Sequence, residues 1–236
     1  MSVRTLAHMP PRRVPLLVLA LVCVGVLALA GCSSDEQPPA DVGPATPSAS
    51  PLPSLGDIDT LRTSVARASF CGTVDGRALV KALGKRPRKA TSYDNGDQTV
   101  LAPGLKDVAH EFSCTWSLGR QKMARAWVFA PPVTRGQAEA DRALLRKTAG
   151  CEPLPKAPRF GASTVTLTCE NAGTHRILRA GLFGDAWLTC ALTLPDSVKA
   201  ADLERRSETW CAAALQAASP SASPTASPTE SASATS

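Results

Sequence analysis

Beyond residue 32, the side chains of this 236-residue chain suited to nucleophilic, redox or metal chemistry are six cysteines, two histidines and scattered carboxylates. The cysteines are Cys71, Cys114, Cys151, Cys169, Cys190 and Cys211. Dithiol redox centres use Cys-x-x-Cys and structural zinc uses paired close ligands, whereas the nearest two cysteines here, Cys151 and Cys169, are 18 residues apart. A serine or zinc hydrolase needs a histidine oriented by a partner. His110 beside Glu111, with Asp107 three residues earlier, can be drawn that way, but neither a nucleophile elbow nor a His-Glu-x-x-His run accompanies it. His110 and His175 both fall in predicted strands and read as sheet residues. Asp94-Asn95-Gly96-Asp97 resembles a calcium loop, yet twelve residues from Asp94 the chain has Leu105 where an EF-hand needs Glu, so a turn explains it better. No metal or cofactor is expected. The run Lys85-Arg86-Pro87-Arg88-Lys89 could touch anionic headgroups or wall polymers, but short charge runs are usually solvated loops.

Cys32 stands apart from these six. It follows an apolar run from Leu16 to Ala30 that is preceded by Arg4, Arg12 and Arg13 and is shorter than the roughly 20 residues of a membrane span. That layout is an export signal, with Cys23 inside it. Leu29-Ala30-Gly31-Cys32 matches the lipobox of bacterial lipoproteins, which implies a diacylglyceryl group on the Cys32 thiol and cleavage just before it. Two acyl chains meet the requirement for stable anchoring. The expected location is the extracytoplasmic face of the cell membrane, with the membrane itself as a partner through Cys32. Loss of residues 1–31 removes three arginines and no acid, lowering the formal net charge from +6 to +3. A nucleic-acid partner is therefore not expected. The compartment is oxidising, so the six remaining cysteines read as three disulfides. Fifteen pairings are possible. The preferred set is sequential, Cys71 with Cys114, Cys151 with Cys169 and Cys190 with Cys211, each tying a helix end to a neighbouring strand.

The elements that position these groups can be read from composition and period. Residues 32–55 form the lipidated cysteine and a Pro/Ser-rich tether; the 23 residues after Cys32 reach about 70 Å if polyproline-like or about 26 Å as a coil. Residues 218–236 read as a disordered Ser/Thr/Pro-rich tail. Between them, 56–217 suits one globular domain. Ile58, Leu61 and Val65 recur at helical spacing, and Leu79, Val80 and Leu83 do so between Asp75 and Gly84, predicting two opening helices. A loop with an Asn95-Gly96 hairpin turn follows. Phe112, Cys114, Trp116 and Leu118 alternate, and Met123 to Ala130 forms a second strand. Thr134 and Gln137 make a capping box for a helix ending at Gly150. Strands recur over Val165 to Cys169, His175 to Leu182 and Ala186 to Leu194, with a tight turn at Leu182 to Asp185. Asp196 is placed to cap a last helix that turns Leu203, Trp210, Cys211 and Leu215 inward. Trp116, Trp127, Trp187 and Trp210 read as core or half-core residues rather than a sugar platform. The order predicts an α+β fold: an antiparallel sheet with helices packed on one face, disulfide-stapled as a single domain.

The lipobox, the tether, Cys71 at an early helix, Cys114-Thr115-Trp116 in a strand and Gly184-Asp185-Ala186 before a late strand resemble actinobacterial exported lipoproteins grouped as a domain of unknown function. The Ala-, Arg- and Pro-rich composition agrees with a high-GC actinomycete source. The resemblance spans residues 70–215; where that family shows Asp-Pro before its first cysteine, this chain has Ser69-Phe70, and its four later cysteines are additions. It implies no catalytic residue. The expected function is a non-enzymatic ligand- or partner-binding module of the cell envelope, holding a lipid, glycan or protein. The rivals are an envelope enzyme built around His110 or His175 and a structural spacer. A concave site containing either histidine would favour the enzyme, an apolar groove without one would favour binding, and a spacer would show neither.

Overall fold

A computed structural model describes residues 50–102 and 104–220; the leader, Cys32, most of the tether and most of the tail lie outside them. The chain order is α1 (Gly76–Leu83), β1 (Lys89–Tyr93), β2 (Gln98–Ala102), β3 (Leu105–Val108), β4 (Glu111–Ser117), β5 (Met123–Phe129), α2 (Arg135–Leu145), β6 (Cys151–Pro153), β7 (Ala162–Asn171), β8 (Thr174–Phe183), β9 (Ala186–Pro195) and α3 (Ala200–Ala218). Seven strands pair antiparallel in the order β1-β4-β5-β9-β8-β7-β6, and β2 with β3 forms a separate hairpin. The fold is α+β. No helix of the described residues is long and apolar enough to cross a membrane.

Because successive strand residues point to opposite faces, β9 supplies both sides of the sheet. Leu188, Cys190, Leu192 and Leu194 join the core beneath α1 and α3, whereas Trp187 and Ala191 face the other way. On the first side α3 buries Leu203, Trp210, Cys211 and Leu215, the Trp210 indole donates to the Ala191 carbonyl at 3.1 Å, and its ring meets Trp116 edge-on at 5.5 Å. Arg179 is also buried beneath α3, its Nη2 lying 3.6 Å from Glu208 Oε1. Helices α1 and α3 thus gather on one face as expected, while α2 packs against β7 and β8 on the other, over Val165, Leu167, Leu178 and Ala180. It leaves that face of β1, β4 and β5 without a helix.

Local signals explain most of these elements. Asp75 accepts the Arg77 amide at 2.8 Å to start α1, and Gly84, left-handed at φ 83°, ends it. Thr134 and Gln137 form the expected capping box of α2. Three expectations need correction. Residues 58–65 are not a helix but a turn around Asp59, whose carbonyl takes the Thr63 amide and hydroxyl. Thr60, Thr63 and Val65 are β-branched and Leu61 is exposed, so nothing repays winding a helix there. The first of the two opening helices is therefore absent. Asn95-Gly96 does turn the chain, but β1 and β2 on either side of it belong to different sheets, and β1, read as loop, pairs with β4. Asp97 spends its carboxylate on the Asp94 amide at 2.8 Å. Asp196 does not cap α3: its amide is tied to Gly173, and Lys199 holds the cap position, without a side-chain bond.

The domain boundaries also move outward. Leu55, assigned to the tether, is buried against α3 in a short 3-10 turn, with the neighbouring Ser54 hydroxyl on Glu208 at 3.2 Å. Ala218, assigned to the tail, is buried as the last residue of α3.

All six cysteines pair, and in the sequential set: Cys71–Cys114, Cys151–Cys169 and Cys190–Cys211, with Cα separations of 5.5, 4.0 and 5.7 Å. Only the last joins an α-helix to a strand. Cys71 lies in a 3-10 turn, and Cys151 and Cys169 face each other across β6 and β7. Adjacent antiparallel strands bring side chains close enough for a staple without a helix.

Candidate functional site

The face of β4 and β5 left bare by α2 becomes the floor of a cavity of about 640 Å³. Alternation along β5 places Arg125, Trp127 and Phe129 on this floor, and Tyr93 of β1 and Glu111 of β4 share it. Gln137, Ala140 and Asp141 of α2 and Val108 of β3 also line the cavity. The rim is Pro131-Pro132-Val133, held by the Val133 amide on the Asp185 carbonyl at 2.8 Å. Prolines suit this connection because it must leave β5 without continuing the ladder.

At the floor, three side chains lock together. The Tyr93 hydroxyl donates to Glu111 Oε1. Arg125 Nη2 donates to the Tyr93 oxygen at 2.8 Å and to Glu111 Oε1 at 3.0 Å, while its Nε lies 3.4 Å from Ser113 Oγ. The guanidinium also sits 4.5 Å from the Trp127 ring centroid, a cation–π arrangement. Burial, and then the bond to Glu111, pushes the Tyr93 phenol above its ordinary pKa, so it stays a neutral donor. Glu111 Oε2 and Arg125 Nη1 carry no hydrogen bond among the described residues. An acceptor and a donor are thus left without partners among side chains that line a cavity of mixed apolar and polar character.

The structure brings only part of the His110 grouping here. His110 and Glu111 line the cavity, but Asp107 does not; its carboxylate holds the Val108 amide at 2.7 Å. His110 is exposed, and no serine, threonine or cysteine is among the lining residues; the carboxylates that line the cavity with it are Glu111 and Asp141. His175 is elsewhere, near the β7–β8 turn and 3.9 Å from Glu170. Among the described residues, no three His, Cys, Asp or Glu side chains converge on a metal-sized site. A second hollow, of about 420 Å³, is polar: Glu139 there is already bonded to Arg142 and Ser163, both at 2.7 Å.

Tyr93 and Arg125 were not singled out by the sequence reading. The alternation Met123, Arg125, Trp127, Phe129 was available, but it does not say which face of β5 would lack a helix. Trp116, Trp187 and Trp210 are core residues, and Trp127 is half-buried in the cavity floor. No family model matches the chain, and no curated protein matches it.

Proposed function

We propose that this protein is a non-catalytic, ligand-binding lipoprotein of the cell envelope, anchored through Cys32 at the outer face of the membrane and holding a small amphipathic molecule. One observation carries the binding reading: the cavity over β4 and β5. Its roughly 640 Å³ falls within the range typical of small-molecule sites, and a few convergent polar groups among apolar and aromatic walls are what such sites use. Trp127, Phe129, Pro131 and Val133 suit an apolar body. Glu111 Oε2 and Arg125 Nη1 suit a head that both donates and accepts, such as a hydroxyl, amide or carboxyl group. The membrane reading rests on the lipobox and on the resemblance to actinobacterial exported lipoproteins.

An apolar fluorescent probe such as N-phenylnaphthylamine should bind the purified chain and quench Trp127. Ala140→Trp, which fills the mouth from the exposed side of α2, should weaken this about tenfold or more without lowering Tm, consistent with a side chain that displaces ligand volume. Probe affinity unchanged by Ala140→Trp and by Trp127→Ala would refute the cavity as the site. The enzyme reading draws on His110 and Glu111 at the same cavity. Turnover of a bound ester or glycoside that is lost in His110→Ala would replace the binding reading.

Anchoring is tested separately. Cys32→Ala should leave a full-length precursor that takes up no labelled fatty acid, whereas globomycin, which blocks the cleavage that follows acylation, should leave a full-length precursor that is labelled. A normally processed chain in either case would remove Cys32 as the anchor.

A further inference from the structure

The cavity lies at one end of the β4–β5 hairpin, and the other end is strongly basic. Lys85, Arg86, Arg88 and Lys89 are exposed on the segment leaving α1, which runs beside the end of β4: the Arg88 amide bonds the Ser117 carbonyl at 2.9 Å, and Lys89 pairs in register with Ser117. The β4–β5 turn adds Arg120 and Lys122. Arg206 reaches over from α3, so that a Cβ on Gly84 would lie 3.6 Å from Arg206 Nη1 and 3.9 Å from Lys122 Nζ. Three separated stretches of chain thus bring seven cations to one pole.

Other described cations, such as Arg135, Arg146, Lys147 and Lys156, also have no counter-ion within 4.0 Å; what distinguishes the seven is that they cluster where the neighbouring sequence is poor in acid. The chain has no carboxylate between Asp75 and Asp94, or between Glu111 and Glu139. Among the described residues, none of the seven is within 4.0 Å of a carboxylate, while Arg62, Arg67, Arg77, Arg125, Arg142, Arg179 and Arg205 all are. The partial negative charge at the end of α1 helps hold Lys122 and Arg206, and Lys89 protects an edge strand from pairing. Neither role explains Lys85, Arg86, Arg88 and Arg120. The same end of the sheet carries Asp196, with Lys199 three residues on, and Glu170, 3.9 Å from His175; on α3, Asp202 and Glu204 precede Arg206, and Asp202 is paired with Arg205.

We infer that this pole rests on the anionic phospholipid headgroups of the membrane that carries the anchor, holding the cavity mouth outward. This rests on the lipoprotein reading above. Charge complementarity names the occupant: each cation near an anionic bilayer improves partitioning roughly fivefold. Tethering converts even a weak preference into a bound state, because short flexible linkers give effective concentrations in the millimolar range. The reach is sufficient. Ser50, where the described chain begins, bonds Arg77 at 3.0 Å beside the start of α1, an eight-residue helix and so roughly 12 Å from the pole. The 17 residues from Ser33 to Ala49 extend to about 50 Å. Seven-residue strands place the cavity end of β4 and β5 about 20 Å above the headgroups.

The test uses the chain from Ser33 to Ser236, which lacks Cys32, in co-sedimentation with vesicles. Vesicles containing phosphatidylglycerol should bind it, those of phosphatidylcholine alone should not, and binding should fall steeply as salt rises. Replacing Lys85, Arg86, Arg88 and Lys89 together by Ser should weaken binding by roughly 600-fold. A second variant, with Arg135, Arg146, Lys147 and Lys156 replaced by Ser, removes the same charge elsewhere and should bind nearly as the parent does; near-UV circular dichroism checks the fold of both. Equal sedimentation with the two vesicle types, equal loss in the two variants, or binding to a soluble glycerol-phosphate polymer without binding to vesicles would each overturn the inference. Because the tested chain has no Cys32, a negative result speaks against the pole alone, whereas failed acylation shows in the precursor assay.

Discussion

Gly181→Ala should prevent the domain from folding. A Cβ on Gly181 would lie 1.6 Å from the Phe160 carbonyl oxygen and 2.8 Å from its carbon, both backbone atoms that cannot swing aside. The contact exists because the chain enters β7 by crossing close over β8, where the β7–β8 register is interrupted between Ala162 and Val165. Phe160 is itself fully buried, its ring meeting Phe183 edge-on at 5.1 Å, so relieving the clash would pull an aromatic ring from the core. Losing a buried Phe alone costs about 3–5 kcal/mol, comparable to the whole stability of many domains. The expected result is little soluble protein and no near-UV signal from the buried tryptophans. Gly184→Ala provides the contrast: its Cβ would meet nothing within 4 Å, and only the left-handed backbone at φ 68° resists it, at about 1–2 kcal/mol. A Gly181→Ala protein as stable as Gly184→Ala would show that Phe160 does not cross β8 as described.

Among the three staples, removal of Cys71–Cys114 should destabilise most. It closes a span of 43 residues, against 21 for Cys190–Cys211 and 18 for Cys151–Cys169. Restricting the unfolded chain is then worth about 4 kcal/mol for the first and about 3 kcal/mol for each of the others. For a domain of this size, Cys71→Ala with Cys114→Ala should lower Tm by about 8–16 °C. Native contacts point the same way. Cys151 and Cys169 are already held by the β6–β7 ladder, and α3 by its apolar face, whereas the segment around Cys71 is tied by few bonds, such as Thr73 to Ala217 at 3.0 Å. Differential scanning calorimetry of the three double-alanine variants decides the order. The smallest shift at Cys71–Cys114 would contradict the chain-entropy account.

What could be read in advance followed from short-range signals. Asp75 and Gly84 bracket α1, Thr134 and Gln137 start α2, and the alternations along β4, β5, β7, β8 and β9 mark strands because each depends on neighbours within a few residues. The same reading failed at Ile58 to Val65, where apolar spacing mimics a helix but Thr60 instead turns into the core and donates to the Arg159 carbonyl, 99 residues away. It failed at β1 because Lys89 to Tyr93 are mostly exposed and owe their strand to pairing with β4.

The sequence by itself determined most of the element types, the α+β class, a cysteine set able to staple them, and the lipobox on which the anchoring proposal rests. Only the tertiary structure decided that α2 crosses to the face opposite α1 and α3, that Tyr93, Glu111 and Arg125 meet, and that Lys122 and Arg206 join the basic segment at one pole. The physical reason is range. Period and capping act within a turn or a strand, whereas the bare face of β4 and β5, and with it the cavity, arises from which strands pair and on which side of the sheet each connection passes.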